Sequence, residues 1–203
     1  MANFSSLRGP VGMNRTYARL GGADLAPREW MAALSAGRSF ATNGPLLGFT
    51  LGGAGIGDEL KFAVAQRHVP FSVRLRSIVT VDHLELVCNG KVVRSFVARK
   101  PVDQGEFTGS IALEDSGWCV VRASTDAGRY PVLDTYVYAT TSPIYVTVAV
   151  RKPRSPADAR YFAAWVDRMT ETTAAYPDWN DAAEKRRVLE RLARARSLFE
   201  ALE

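Results

Sequence analysis

Val69-Pro70-Phe71-Ser72-Val73-Arg74-Leu75-Arg76 alternates apolar and polar side chains one for one. Successive side chains of a strand point to opposite faces, so this stretch predicts a β-strand with one buried and one wetted face. Leu84, Leu86 and Cys88 repeat the pattern, and Asn89-Gly90 stands between the runs 84–88 and 91–97. Two residues that tolerate positive φ between two such runs predict a tight hairpin. Further strands are predicted at 60–65, 107–113, 118–124 and 144–150, punctuated by Gly52-Gly53, Gly55, Gly57, Gly105 and Gly117. The region 46–150 therefore reads as an antiparallel β-sandwich of about seven or eight strands, because no helical pattern separates the strands as a parallel α/β sheet requires.

Outward toward the N-terminus, residues 1–45 hold an extended stretch around Gly9-Pro10-Val11-Gly12 and Asn14-Arg15-Thr16-Tyr17, then a helix over about 27–36. Pro27 suits a first turn, Trp30 and Leu34 share a face with Ala33 beside them, and Gly37 is the stop signal. One helix and one extended segment bury no core of their own and must dock on something. Outward toward the C-terminus, residues 151–203 predict a helical hairpin. Ser155-Pro156-Ala157-Asp158 supplies an N-cap hydroxyl, a first-turn proline and an early acid. Phe162, Trp165, Val166 and Met169 follow at helical spacing, and Tyr176-Pro177-Asp178-Trp179 breaks the run. A second helix starts near Asn180 or Asp181. Its stripe of Val188, Leu192, Ala195, Phe199 and Leu202 reads as a seam against the first helix or the sandwich.

With 203 residues, 47% hydrophobic and 23% charged, the chain has enough for one full core or for one core plus a smaller appendage. No stretch approaches the roughly 18 uninterrupted apolar residues of a membrane span. The formal net charge is +5, and one basic stretch stands out, Lys185-Arg186-Arg187 with Arg191, Arg194 and Arg196. Glu184, Glu190 and Glu200 are interleaved with these, which predicts a solvated helix face with ion pairs. Neither a nucleic acid nor a membrane is expected as a partner, since no DNA-reading or RNA-binding signature accompanies the charge. Cys88 and Cys119 each sit in an apolar strand-like run and are expected as buried thiols acting as small hydrophobes, a disulfide being the alternative. His68 and His83 are the whole imidazole supply, and neither has a partner at metal-ligand spacing. No nucleophile elbow, phosphate-binding loop or Cys-x-x-Cys pair is present. No catalytic residue and no metal ligand is assigned.

Two segments carry candidate binding residues. Arg38-Ser39-Phe40-Ala41-Thr42-Asn43-Gly44-Pro45 is either a helix-to-strand connection turning at Asn43-Gly44-Pro45, or a place where Thr42 and Asn43 line a pocket between domains. Asp134-Thr135-Tyr136-Val137-Tyr138 is either an aromatic-anchored loop or a rim that offers Tyr136 and Tyr138 to a ligand.

Several blocks in order carry a resemblance: Gly9-Pro10-Val11-Gly12-Met13-Asn14-Arg15-Thr16-Tyr17, Trp30 in its helix, then Gly37-Arg38-Ser39-Phe40-Ala41-Thr42-Asn43-Gly44-Pro45. Leu84-Glu85-Leu86-Val87-Cys88-Asn89-Gly90 and Thr141-Ser142-Pro143-Ile144-Tyr145-Val146 complete them. Over essentially its whole length the chain resembles the C-terminal half of bacterial carbaryl-hydrolase-like (CehA/McbA-like) metallo-hydrolases of the polymerase-and-histidinol-phosphatase (PHP) superfamily. The resemblance implies an N-terminal distorted α/β barrel in a full-length relative, holding divalent metal with His, Asp and Glu and activating water against an ester, carbamate or phosphoester. It places the last barrel ligand just before the start of this chain, so no metal or other cofactor is expected here. Family members often carry a His before the Thr-Ser-Pro stretch, where this chain has Thr140. The resemblance further implies that residues 1–45 are the end of the barrel, 46–150 a sandwich domain and 151–203 a helical hairpin. The chain is accordingly expected to be a non-catalytic C-terminal auxiliary domain, inactive alone, with the barrel of its parent protein or a second copy as partner. The alternative is a free-standing sandwich module for carbohydrate or protein. If residues 1–45 are barrel pieces, Trp30 and Leu34 should be partly uncovered, or covered by a second copy of the chain.

Overall fold

The computed structural model describes residues 12–22, 25–97, 100–132 and 134–202. The expectations for residues 1–8 and for Gly9-Pro10-Val11 lie outside them. The alternating stretch falls in β6 (Gln66–Val81), where Val69, Phe71, Val73 and Leu75 are buried while Arg74 and Arg76 face solvent. β3 (Leu46–Leu51) and β9 (Val102–Leu113) pair with β6 on either side, antiparallel, and β4 (Ala54–Gly55) pairs with β3, completing a four-stranded sheet.

The second sheet is built around β10 (Gly117–Ser124). β7 (His83–Cys88) runs along one side of it, and β8 (Lys91–Ser95) lies beyond β7. The other side is shared. β11 (Tyr138–Thr141) pairs with the end of β10 and β12 (Ile144–Val148) with its beginning, the two separated by Ser142-Pro143. β2 (Ser39–Thr42) then pairs with β11, β1 (Arg15–Ala18) with β2, and β5 (Glu59–Phe62) with β12, the last in parallel. One apolar core joins the two sheets and includes Leu51, Phe71, Val73, Leu86, Val121, Ile144 and Val148. Burying a side chain of this size stabilises the fold by about 1.5–3 kcal/mol.

The architecture is mainly β, with two sheets of mostly antiparallel strands and a C-terminal pair of helices. Two details differ from the sequence expectation. Among the described residues the strands number twelve, because the short segments β1, β2, β4 and β11 join the sheets as well. The boundary expected after residue 45 also falls inside one compact unit, which ends at Lys152. β2 lies between β1 and β11 in the same sheet as β10. The backbone groups of residues 39–42 are satisfied there, which is why this segment belongs with the sandwich.

Local signals place the connections. Asn89 and Gly90 adopt φ of 49° and 78°, closing the β7–β8 hairpin with Cys88 opposite Lys91. α1 (Pro27–Ser35) buries only Ala33; Trp30 remains 38% exposed and Met31 55%, while Leu34 is partly covered. Its end abuts Gly57, where a β-carbon would come 2.3 Å from the Ala36 carbonyl oxygen.

The second unit, Pro153–Glu203, consists of α2 (Pro156–Ala175) and α3 (Ala182–Glu200) packed on each other. Ser155 and Asp181 accept hydrogen bonds from Asp158 N–H and Glu184 N–H, capping the two helices. Phe162 of α2 stacks on Phe199 of α3 at 5.3 Å. Val188, Leu192, Ala195 and Phe199 are partly buried, so the predicted stripe forms a seam, though Leu202 is exposed. Arg186 pairs with Glu190, and Arg196 with Asp167 and Glu200. Among the described residues no helix is long and apolar enough to cross a membrane.

Cys88 and Cys119 form a disulfide, which corrects the expectation of two free thiols. They face each other across β7 and β10 with Cα atoms 4.1 Å apart. Asn89 N–H donates to the Trp118 carbonyl at 3.0 Å, so the cysteines occupy a non-hydrogen-bonded pair, the antiparallel position where side chains approach most closely. The bridge spans a sequence separation of 31, and closing a loop of that length in the unfolded chain is worth about 3–4 kcal/mol. Denaturant unfolding with and without reductant, and of the Cys88→Ala/Cys119→Ala variant, should show a loss of that order. Coincident midpoints would refute it.

Candidate functional site

The site begins with the β1–β2 ribbon. Tyr17 lies opposite Phe40 and Ala18 opposite Ser39, and Arg19 N–H donates to the Arg38 carbonyl at 2.8 Å. By the period-2 rule Tyr17, Arg19, Arg38 and Phe40 share one face of the ribbon. The rings of Tyr17 and Phe40 stack at 5.1 Å with an interplanar angle of 10°, and the Arg15 guanidinium lies 6.0 Å from the centre of the Tyr17 ring. This face borders a solvent-open cleft of about 490 Å³ between the ribbon and the four-stranded sheet. The cleft runs over the edge of β3, with Ile56 and the margins of Leu47 and Phe49 as its apolar floor on one side and Ser72, Arg74 and Glu106 as the far wall on the other face of the sheet. On that wall Glu106 accepts from Arg74 Nε at 3.2 Å and from the Ser72 hydroxyl at 3.3 Å. Among the described residues neither Arg19 nor Arg38 forms an ion pair.

The four residues proposed from sequence come together elsewhere. Thr42 is fully buried; its hydroxyl lies 2.6 Å from the Pro45 carbonyl and 3.1 Å from that of Tyr138, and accepts from Gly44 N–H. Asn43, 3% exposed, donates to the Tyr136 carbonyl and to Asp134 Oδ2, and accepts from Tyr138 N–H at 2.8 Å. Gly44 fits beneath the same loop, since a β-carbon there would lie 3.1 Å from Val132 and 3.2 Å from Val137. Thr42 and Asn43 thus act as a clamp on the segment 134–138, and their polar atoms are spent inside the protein. Tyr136 is 49% exposed and packs against Tyr138 at 5.8 Å, whose hydroxyl donates to Asn14 Oδ1. None of the four lines the cleft. Asp134 is held below the usual carboxylate range, chiefly by Thr135 N–H and then by the Asn43 amide.

Sequence reasoning passed over Tyr17, Arg19, Arg38, Phe40 and Arg74. One signal was available: Tyr17-Ala18-Arg19 and Arg38-Ser39-Phe40 are mirror images, and antiparallel pairing brings like residues opposite one another. His68 lies on β6, and His83 on β7 beside Asp126, with Nε2 to Oδ1 at 2.8 Å. Among the described residues no three His, Cys, Asp or Glu side chains gather in a group able to hold a metal ion. Comparison with protein-family models, curated proteins and solved structures finds no match for the chain.

Two outcomes follow from this geometry. Asn43→Ala strips the Tyr138 N–H of its acceptor and should cost about 2–4 kcal/mol, as expected when several buried hydrogen bonds are broken; an unaltered thermal midpoint would contradict the clamp. The Asp126 hydrogen bond raises the His83 pKa above its ordinary 6.5. Its contribution to stability is therefore full below that ordinary value and lost as pH rises through the folded value. NMR titration should show Asp126→Asn lowering the His83 pKa, and an unmoved titration curve would dismiss the pairing.

Proposed function

We propose that this chain is a non-catalytic auxiliary β-sandwich unit of a carbaryl-hydrolase-like, metal-dependent hydrolase, serving recognition beside a separate metal-binding barrel. The observation that carries the reading is the chemistry converging on the cleft. Guanidinium groups stay protonated at any working pH and donate in a fixed fork. Glu106 is already engaged by Arg74 and Ser72. Such groups hold and orient a ligand; they are poorly suited to shuttle protons in a bond-breaking step. The exposed Trp30 and Met31 of α1 suit the same reading, as an apolar face for the barrel of the parent protein.

The cleft is complete within one compact unit, which favours as second reading a free-standing module that binds a carbohydrate or a protein. The genomic context separates the two. An in-frame upstream segment encoding the barrel supports the auxiliary unit, while a stop codon and ribosome-binding site before Met1 support the module.

The purified chain should contain no stoichiometric divalent metal and should turn over no aryl ester, carbamate or phosphoester. Metal analysis finding one ion or more per chain, together with turnover, would overturn the non-catalytic reading.

A further inference from the structure

We infer that the cleft between the β1–β2 ribbon and the four-stranded sheet binds an organic carboxylate with a flat apolar body, its carboxylate seated between Arg19 and Arg38. The inference rests on the reading of the cleft as a recognition site and adds the class of ligand.

Arg19 and Arg38 continue the ribbon one step beyond Ala18 and Ser39, and their strands are joined there by the Arg19 N–H to Arg38 carbonyl bond. Two like charges directly opposite each other on one face of an antiparallel pair oppose folding unless something neutralises them. Arg74 has Glu106. Among the described residues Arg19 and Arg38 have no such partner, although Asp58 stands near Arg19 beside Gly55, where its carboxylate accepts from Gly55 N–H at 2.9 Å. A carboxylate between the two guanidiniums would relieve the repulsion and accept charge-assisted, fork-shaped hydrogen bonds.

The rest of the cleft selects the body. Ile56 and Phe40, both partly buried, offer the apolar floor beside the arginines, and only the margins of Leu47 and Phe49, 7% and 5% exposed, reach it. The Tyr17 ring has Phe40 on it and Arg15 near it, so a ligand meets the aromatic pair mainly along its edges. A volume of about 490 Å³ lies within the ordinary range of small-molecule pockets. A bare phosphate would leave the apolar floor unused. A carboxylate on an aromatic body uses both ends of the cleft.

The test uses the full chain and three probes: biphenyl-4-carboxylate, its neutral carboxamide and inorganic phosphate. Biphenyl-4-carboxylate should shift the amide resonances of residues 17–19, 38–40 and 47–50. Its affinity should exceed that of the carboxamide by at least about tenfold, the ratio expected for a charge-assisted contact. Arg19→Gln and Arg38→Gln, both exposed and checked for folding by circular dichroism, should each weaken binding by roughly the same factor. Raising the salt concentration should weaken the carboxylate and leave the carboxamide unchanged, which tests the charge without any substitution. Equal affinity for carboxylate and carboxamide would overturn the ligand class while leaving the cleft a binding site. Phosphate binding as tightly as the carboxylate would overturn the role of the floor. Binding that survives both substitutions, or no binding by any probe, would overturn the site itself. The non-catalytic reading fails separately, on bound metal with turnover.

Discussion

The sandwich depends on how the backbone of β10 is satisfied along both edges. β7 covers one edge with a single continuous strand. The other edge is served by β11 and β12, and the interruption at Ser142-Pro143 divides what lies beyond it. Proline has no N–H to give a neighbouring strand, and the two residues here bond outward in other ways. Ser142 N–H donates to the Ser39 carbonyl, and the Pro143 carbonyl accepts from Gly57 N–H. One side of the break carries the β1–β2 ribbon and the other carries β5. The ribbon owes its place in the sheet to this division, and the cleft owes one of its walls to the ribbon.

Two polar arrangements on that ribbon have opposite character. Thr42 and Asn43 sit where β2 leaves the sheet, and every bond they form is internal, which is the state buried polar groups must reach. They tie the loop before β11 to the turn before β3. Arg19 and Arg38 lie at the opposite end of the same ribbon, exposed and without ion-pair partners among the described residues. A satisfied buried cluster stabilises one conformation. Unneutralised charge beside a solvent-open cleft of mixed polarity leaves interaction energy available to a ligand.

Much of the architecture was legible in the residues. The alternation in β6 and β7, the Asn89-Gly90 turn and the caps at Ser155 and Asp181 each express a rule that operates within a few residues of chain. Less legible were segments with no periodic pattern. β4 is two residues long and β11 four, and both are strands because a neighbour offers free backbone groups. The turn at Ala149 and Val150 takes φ of 52° and 57° with neither asparagine nor glycine present, against local preference. Of the candidate site, the segment 38–45 was singled out, but the weight fell on Thr42 and Asn43, and Arg38 and Phe40 were passed over.

By itself the sequence determined that the chain is mainly β with a capped helical hairpin, because side-chain periodicity and turn chemistry are properties of neighbouring residues. Only the tertiary structure decided that residues 15–18 and 39–42 complete a sheet, that Cys88 meets Cys119, and that two arginines flank one cavity. Each of these is a question of register between strands distant in the chain, and register follows from which backbone edges meet and which faces are buried together.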